Sequence, residues 1–152
     1  MPAGQALVDT GAQHGIIGLP SYEALVAKLA EYGLKPKQIP TLNVAAAGIG
    51  GQTKFLLSAE VPTAIAGCSG IITVHVIEQD VPMLLPIGLC KALGMNLRLA
   101  ENSIAWEGLG GKVSPLSEVE GGEHIAIDIL DFGERMGEPT LPTPIYPGHH
   151  PL

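Results

Sequence analysis

The chain has 152 residues, of which 46% are hydrophobic, enough for one globular domain with a single core and tails. Its net charge of −7, with only 8 Lys plus Arg, lacks the clustered cations that bind a phosphate backbone, so we expect no nucleic-acid partner. No apolar run is long enough for membrane insertion, and no signal peptide is recognisable, so we expect a soluble, cytoplasmic protein. Two cysteines are too few for a disulfide framework or a zinc site, and we expect neither metal nor cofactor.

The first predicted element is a short strand over residues 5–8 that leads into the sequence Asp9-Thr10-Gly11-Ala12. An Asp-Thr-Gly tripeptide after an apolar strand can place a carboxylate at the tip of a tight turn. It is also compatible with an ordinary exposed turn in which the aspartate bonds only to nearby backbone. None of the other aspartates in the chain is followed by Ser or Thr, so the motif occurs once.

An amphipathic helix is predicted after a second extended segment at residues 15–18. Apolar side chains recur at helical spacing from Tyr22 to Leu29. Ser21 is the expected N-cap residue, and Gly33 is placed to end the helix.

A glycine-rich stretch lies between two predicted strands, at residues 41–47 and 53–59. Glycine adopts positive φ at no steric cost, so the pattern predicts a hairpin with the stretch at its tip. No Gly-Lys-Ser/Thr sequence follows, which argues against a phosphate-binding loop. The members of the stretch are Gly48, Ile49, Gly50 and Gly51.

The remaining pattern is mainly that of short strands. Strands are predicted at residues 64–66 and 70–77, a short helix over residues 86–93, and a hairpin of residues 96–99 with 103–106. We divide the chain into a folded domain (residues 1–107), a flexible connector (108–122), a C-terminal strand that could pair at a dimer interface (123–133), and a Pro-rich extended or disordered tail (134–152).

The order of these features resembles the retropepsins, the aspartic proteases of retroviruses and retrotransposons. Three features carry the resemblance: the Asp9 motif, the glycine-rich hairpin, and Leu84-Leu85 ahead of a short helix. The resemblance extends over residues 6–99 and implies an all-β, closed-barrel protomer with one or two short helices, acting as half of a homodimer. Because the motif occurs once, the second carboxylate must come from another subunit.

The resemblance also implies a role for each matching residue. Paired Asp9 carboxylates would activate a water for peptide-bond hydrolysis, Thr10 would brace the two loops, and Gly11 would contact the carboxylate through its amide. The implied substrate is an extended peptide, and the implied task is processing of a retrotransposon polyprotein. The residues implied to lie around that substrate are Ala12, Gly48, Ile49, Gly50, Gly51, Leu84 and Leu85.

Two residues depart from the retropepsin pattern. Pro86 stands where the family has glycine, and Gln13 stands where serine, threonine or an acid is common. His14, next along the chain, is expected to be a polar loop residue without a catalytic role.

The motif also lies very near the start of the chain, which predicts a fragment of a longer polyprotein or a trimmed reading frame. Pro86, Gln13 and the early position of the motif favour the alternative that the domain is catalytically silent and serves as a dimerisation or peptide-binding module. The extended tail after Gly137 supports a third possibility, a structural subunit of a larger assembly.

Overall fold

The structure is a computed structural model that describes residues 1–9, 14–41, 45–46, 53–119 and 124–133. Its helices are α1 (Leu19–Glu31) and α2 (Ile87–Ala92), with 3₁₀ turns at Leu99–Glu101 and Glu107–Leu109. Its strands are β1 (Gln5–Val8), β2 (Ile16–Gly18), β3 (Lys37–Ile39), β4 (Ala45–Ala46), β5 (Thr53–Lys54), β6 (Leu57–Ile65), β7 (Cys68–Ile77), β8 (Leu84–Leu85), β9 (Met95–Arg98), β10 (Ser103–Trp106), β11 (Lys112–Pro115), β12 (Ser117–Glu118) and β13 (Ile125–Asp128).

One mixed sheet dominates the described part of the chain. Its eight strands follow the order β12-β13-β1-β8-β2-β7-β6-β3. A three-stranded antiparallel sheet, β11-β10-β9, and the two-stranded pair β4-β5 complete the strand pairing. The fold is therefore mainly β with two short helices, as the sequence predicts.

The large sheet curls without closing. An isolated parallel bridge joins Ala64 in β6 to Leu130, just beyond β13. The terminal strands β12 and β3 do not pair with each other in the described residues, so the sheet remains open. The closed barrel implied by the sequence resemblance is therefore not found. The exposed side chains of Lys37 and Gln38 leave β3 as a short polar edge of the kind that limits further pairing.

Helix α1 begins earlier than the sequence pattern predicts. Its N-cap is Gly18 rather than Ser21, and Pro20 lies in the first turn, where the missing proline N–H costs no helical hydrogen bond. The predicted apolar face is present, because Leu25 and Leu29 are buried. No helix among the described residues has the length and apolar character needed to cross a bilayer.

The core lies on one face of the large sheet and extends to α1, α2 and the three-stranded sheet. Trp106 in β10 is fully buried in it, and its indole N–H donates a 2.9 Å hydrogen bond to Ser114 Oγ in β11. That bond satisfies the polar atom of a buried aromatic ring.

The C-terminal segments differ from the sequence expectation in two ways. The predicted flexible connector contains the paired strands β11 and β12. Strand β13, expected to offer an edge to a second chain, has partners within its own chain on both sides, β1 and β12. The available edge on that side of the sheet belongs to β12. The predicted tail (134–152) lies outside the described residues.

Candidate active site

Strand β8 lies between the two strands that flank the Asp9 motif. It runs parallel to β1 and antiparallel to β2. Strands β1 and β2 therefore run in opposite directions and do not pair with each other. They lie two strand spacings apart, about 10 Å. Asp9, directly after β1, thus lies at the end of the sheet where β8 ends.

Asp9 directly follows β1 and is half-buried. It stands two residues after Leu7, the spacing that keeps side chains on one face of an extended strand. The other motif residues implied by the resemblance, Thr10, Gly11 and Ala12, lie outside the described residues, as does Gln13.

A single row of cross-strand partners links the site to the whole sheet. Directly paired residues share a face of the sheet, so the side chains of this row lie on the same side as Leu7. The row consists of Ser117, Ala126, Leu7, Leu84, Ile16, His75, Ser58 and Ile39.

Burial separates Leu84 from Leu85. Leu85, opposite Val8, is fully buried in the main core. Leu84, opposite Leu7, is half-buried and packs against a small separate cluster of Ile16, Phe55 and Ile77. Leu85 is therefore a core residue beneath the Asp9 strand, whereas Leu84 lies on the face that continues toward Asp9.

Pro86 occupies a backbone conformation that proline favours. It is the N-cap of α2 with φ −73° and ψ 152°, and its carbonyl accepts the amides of Leu89 and Cys90 at 3.1 and 3.2 Å. Proline fixes φ near −65°, so this position does not require glycine. At Gly88, two residues further on in α2, an added Cβ would meet nothing within 4 Å. The departure from the retropepsin pattern at Pro86 therefore causes no local strain.

Replacing Pro86 by glycine tests this interpretation. We expect Pro86→Gly to lower the free energy of unfolding by at least about 0.4–1 kcal/mol, because the unfolded chain gains freedom that proline denies it. Urea unfolding followed by circular dichroism measures the change. A variant more stable than the wild type would mean that the position needs the conformational freedom of glycine.

Four side chains, three of them buried and His14 half-buried, form a group beside β2. The Phe55 ring stacks on the His75 ring with centroids 4.6 Å apart and an interplanar angle of 11°. The His14 ring meets both edge-on, at 5.9 Å from His75 and 6.3 Å from Phe55. Ser58 Oγ, fully buried, lies 2.7 Å from His75 Nδ1 in a hydrogen bond. We call His14, Phe55 and His75 the ring cluster.

His75 is only 4% exposed, and this burial lowers its pKa below the usual value, with a further lowering from the nearby charge of His14. Burial acts this way because it disfavours the charged imidazolium. Sequence reasoning placed His75 within a strand but missed the cluster. Contact with Ser58 and His14 depends on the pairing of β6, β7 and β2, for which the sequence carries no local signal.

The predicted glycine hairpin is described only at its base. Strands β4 and β5 pair antiparallel, Ala45 with Lys54 and Ala46 with Thr53. Gly48, Ile49, Gly50 and Gly51 lie outside the described residues. Within the described ranges, no three His, Cys, Asp or Glu side chains come together as a group that could hold a metal ion.

Comparison with known proteins gives a likeness of fold. The retroviral protease-like domain of Ddi1 from Leishmania major aligns with a TM-score of 0.48 and 17% identity, over 85% of this chain and 86% of that one. EIAV protease, solved with the inhibitor HBY-793, aligns with a TM-score of 0.43 and 22% identity, over 61% and 79%. These likenesses assign no role to any residue of this chain.

The sequence comparisons gave no relatives. No known protein-family profile matches the chain, and no curated protein matches it.

Proposed function

We propose that the protein is an aspartic endopeptidase that acts as a homodimer. The supporting observation is the position of Asp9, half-buried directly after β1 and beside the end of β8. The ends of strands in a rigid sheet are places where connecting segments carry catalytic groups. The Asp9-Thr10-Gly11 sequence supplies a carboxylate at that position.

The chemistry requires two copies of the chain. Two carboxylates within hydrogen-bonding reach of one water cannot both ionise, so the pair shares a single proton. The ionised member takes a proton from the water as general base, and the protonated member donates a hydrogen bond to the scissile carbonyl. Each chain carries the motif once, so both roles are filled only when two Asp9 residues face each other. Thr10 would brace the two loops, and Gly11 would contact the carboxylate through its amide.

The substrate we propose is an extended peptide. Leu7 and Leu84 are half-buried on the face that leads to Asp9 and would form part of an apolar floor. By the sequence resemblance, Ala12 and residues 48–51 would also contact the substrate. Leu85, though grouped with them in the sequence resemblance, would support the floor from the core. Main-chain hydrogen bonds to an extended peptide would supply affinity, and the apolar floor would set side-chain preference. We place this activity in the processing of a retrotransposon polyprotein in the cytoplasm.

Incubation with a mixed peptide library tests the proposal. The library is assayed near neutrality and at mildly acidic pH. We expect cleavage that is blocked by a pepstatin-type inhibitor, with a specific rate that rises with protein concentration as dimers form. Sedimentation under the same conditions reports the oligomeric state, and the β12 edge is the part of the large sheet on the β1 side that a second copy could extend.

A verified dimer that cleaves nothing would contradict the enzyme proposal. It would favour the alternative of a catalytically silent module for dimerisation or peptide binding. A monomer without activity would leave the role of a structural subunit in a larger assembly.

A further inference from the structure

The chain just after the Asp9 motif is held tightly against β7. The amide of His75 donates a 2.7 Å hydrogen bond to the Gly15 carbonyl. A Cβ atom added to Gly15 would lie 2.5 Å from the Thr73 carbonyl oxygen, so the two backbones approach as closely as glycine permits. Ile16 then continues the contact as the cross-strand partner of His75.

The ring cluster adjoins this contact. Its three members come from separate segments: His14 precedes Gly15, Phe55 lies between β5 and β6, and His75 is in β7. The Ser58 hydrogen bond fixes the His75 ring, and the stacked Phe55 ring and edge-on His14 ring pack against it. The cluster thereby links the β2 end of the Asp9 loop to β6 and β7.

The surroundings of the cluster determine its response to acid. Ile16 of β2 is apolar, and Ser58 of β6 is neutral. Glu60 of β6 and Lys37 of β3 are cross-strand partners in the same sheet, and exposed Lys54 precedes Phe55. His14 is the ionisable group in ring contact with His75, and its charge opposes protonation of the buried His75 ring.

We propose that the ring cluster is a positioning unit that holds the chain at His14 and Gly15 against β7, and that its protonation releases this hold in acid. The consequence for catalysis rests on the proposed function, because only an active Asp9 loop would lose activity on release. The hold itself does not rest on it.

The sign of the pH effect follows from the lowered His75 pKa. In the closed form the chain at Gly15 contacts β7, and in the open form this contact is broken. Above the ordinary histidine pKa of 6.5, His75 binds no proton in either form, so the stability of the contact is independent of pH. Below 6.5 the open form, in which His75 is solvated, binds the proton more readily, and the hold weakens as pH falls. The weakening stops once pH is below the lowered pKa of the closed form.

Amide hydrogen exchange at residue 75 measures the hold directly, since that N–H is bonded to Gly15. We expect its protection in the wild type, corrected for intrinsic exchange, to fall between pH 7 and pH 5 by up to about tenfold per pH unit. In Ser58→Ala/His75→Phe, which removes both polar partners while keeping a ring to stack, protection should not change with pH. His14→Ala should lower protection already at pH 7, whereas His124→Ala, which removes an exposed histidine, should match the wild type.

Two results would overturn the proposal: a flat wild-type profile, or the same fall with pH in the double variant. If the double variant does not fold, His14→Phe keeps a ring and removes one charge, and its fall should be smaller than in the wild type; an equal fall contradicts the proposal. Peptide cleavage is followed in parallel. Absent cleavage at every pH with the expected exchange pattern would reject the proposed function alone, whereas cleavage with a flat exchange profile would reject this inference alone.

Discussion

Replacing Asp9 by asparagine should abolish peptide cleavage while leaving the fold and the dimer intact. Asparagine is nearly isosteric with aspartate but can neither accept the proton from the water nor share one with its partner. Removing a positioned general acid–base costs about 100- to 10,000-fold in rate, and both members of the pair are lost at once. The measurement is the cleavage rate of a single peptide chosen from the library, with circular dichroism and sedimentation as controls.

Mixing wild-type and Asp9→Asn chains distinguishes an active site shared between two chains from one within a single chain. If two Asp9 residues form one active site, an equal mixture of wild-type and Asp9→Asn chains leaves only about a quarter of the dimers with both carboxylates. Activity per wild-type chain should then fall to about half, and further with excess variant. Activity per wild-type chain that is unaffected by added variant would contradict the shared site.

Local features of the fold were predictable from the sequence, and long-range pairing was not. The spacing of Leu25 and Leu29 predicts α1 because helical periodicity is a local property. The start of that helix was wrong by a few residues because Pro20 fits inside the first turn as well as before it. The insertion of β8 between β1 and β2 joins residues about eighty apart, and no local signal marks such a pairing.

The segment predicted as a flexible connector illustrates a second limit. Its glycines suggest a loop, yet β11 is fixed by four paired residues of β10 and by the bond from Trp106 to Ser114. Tertiary packing of a fully buried tryptophan outweighs weak strand propensity here.

Some residues of the candidate site could be predicted from the sequence, and others could not. Asp9 was identified from the tripeptide Asp-Thr-Gly, because the residues of this motif are contiguous in the sequence. Leu84 and Leu85 were identified together, but only the register with Leu7 and Val8 separates a residue on the site face from one in the core. His14 was dismissed as a polar loop residue, since its ring contacts come from β7 and from the segment before β6.

The position of β8 between β1 and β2 depends on a close backbone approach at Gly18. A Cβ atom there would lie 2.2 Å from the Gln79 carbonyl oxygen and 2.5 Å from the Val81 amide nitrogen, and the Gly18 amide donates to the Val81 carbonyl at 2.9 Å. Its φ of −72° suits any residue, so space alone demands glycine. The clashing atoms are backbone atoms of the segment that leads into β8.

Replacing Gly18 by alanine should therefore destabilise the protein by about 3 kcal/mol or more, at the upper end of overpacking costs, because backbone cannot move aside as a side chain can. For a chain of this size the expected fall in Tm is roughly 6–12 °C. Gly88→Ala is the matched control, since a Cβ there meets nothing within 4 Å and alanine favours a helix over glycine by about 0.5–1 kcal/mol. Thermal unfolding of both variants measures the contrast. If Gly18→Ala is as stable as the wild type, the segment before β8 does not cross Gly18 so closely, and the placement of β8 between β1 and β2 loses its support.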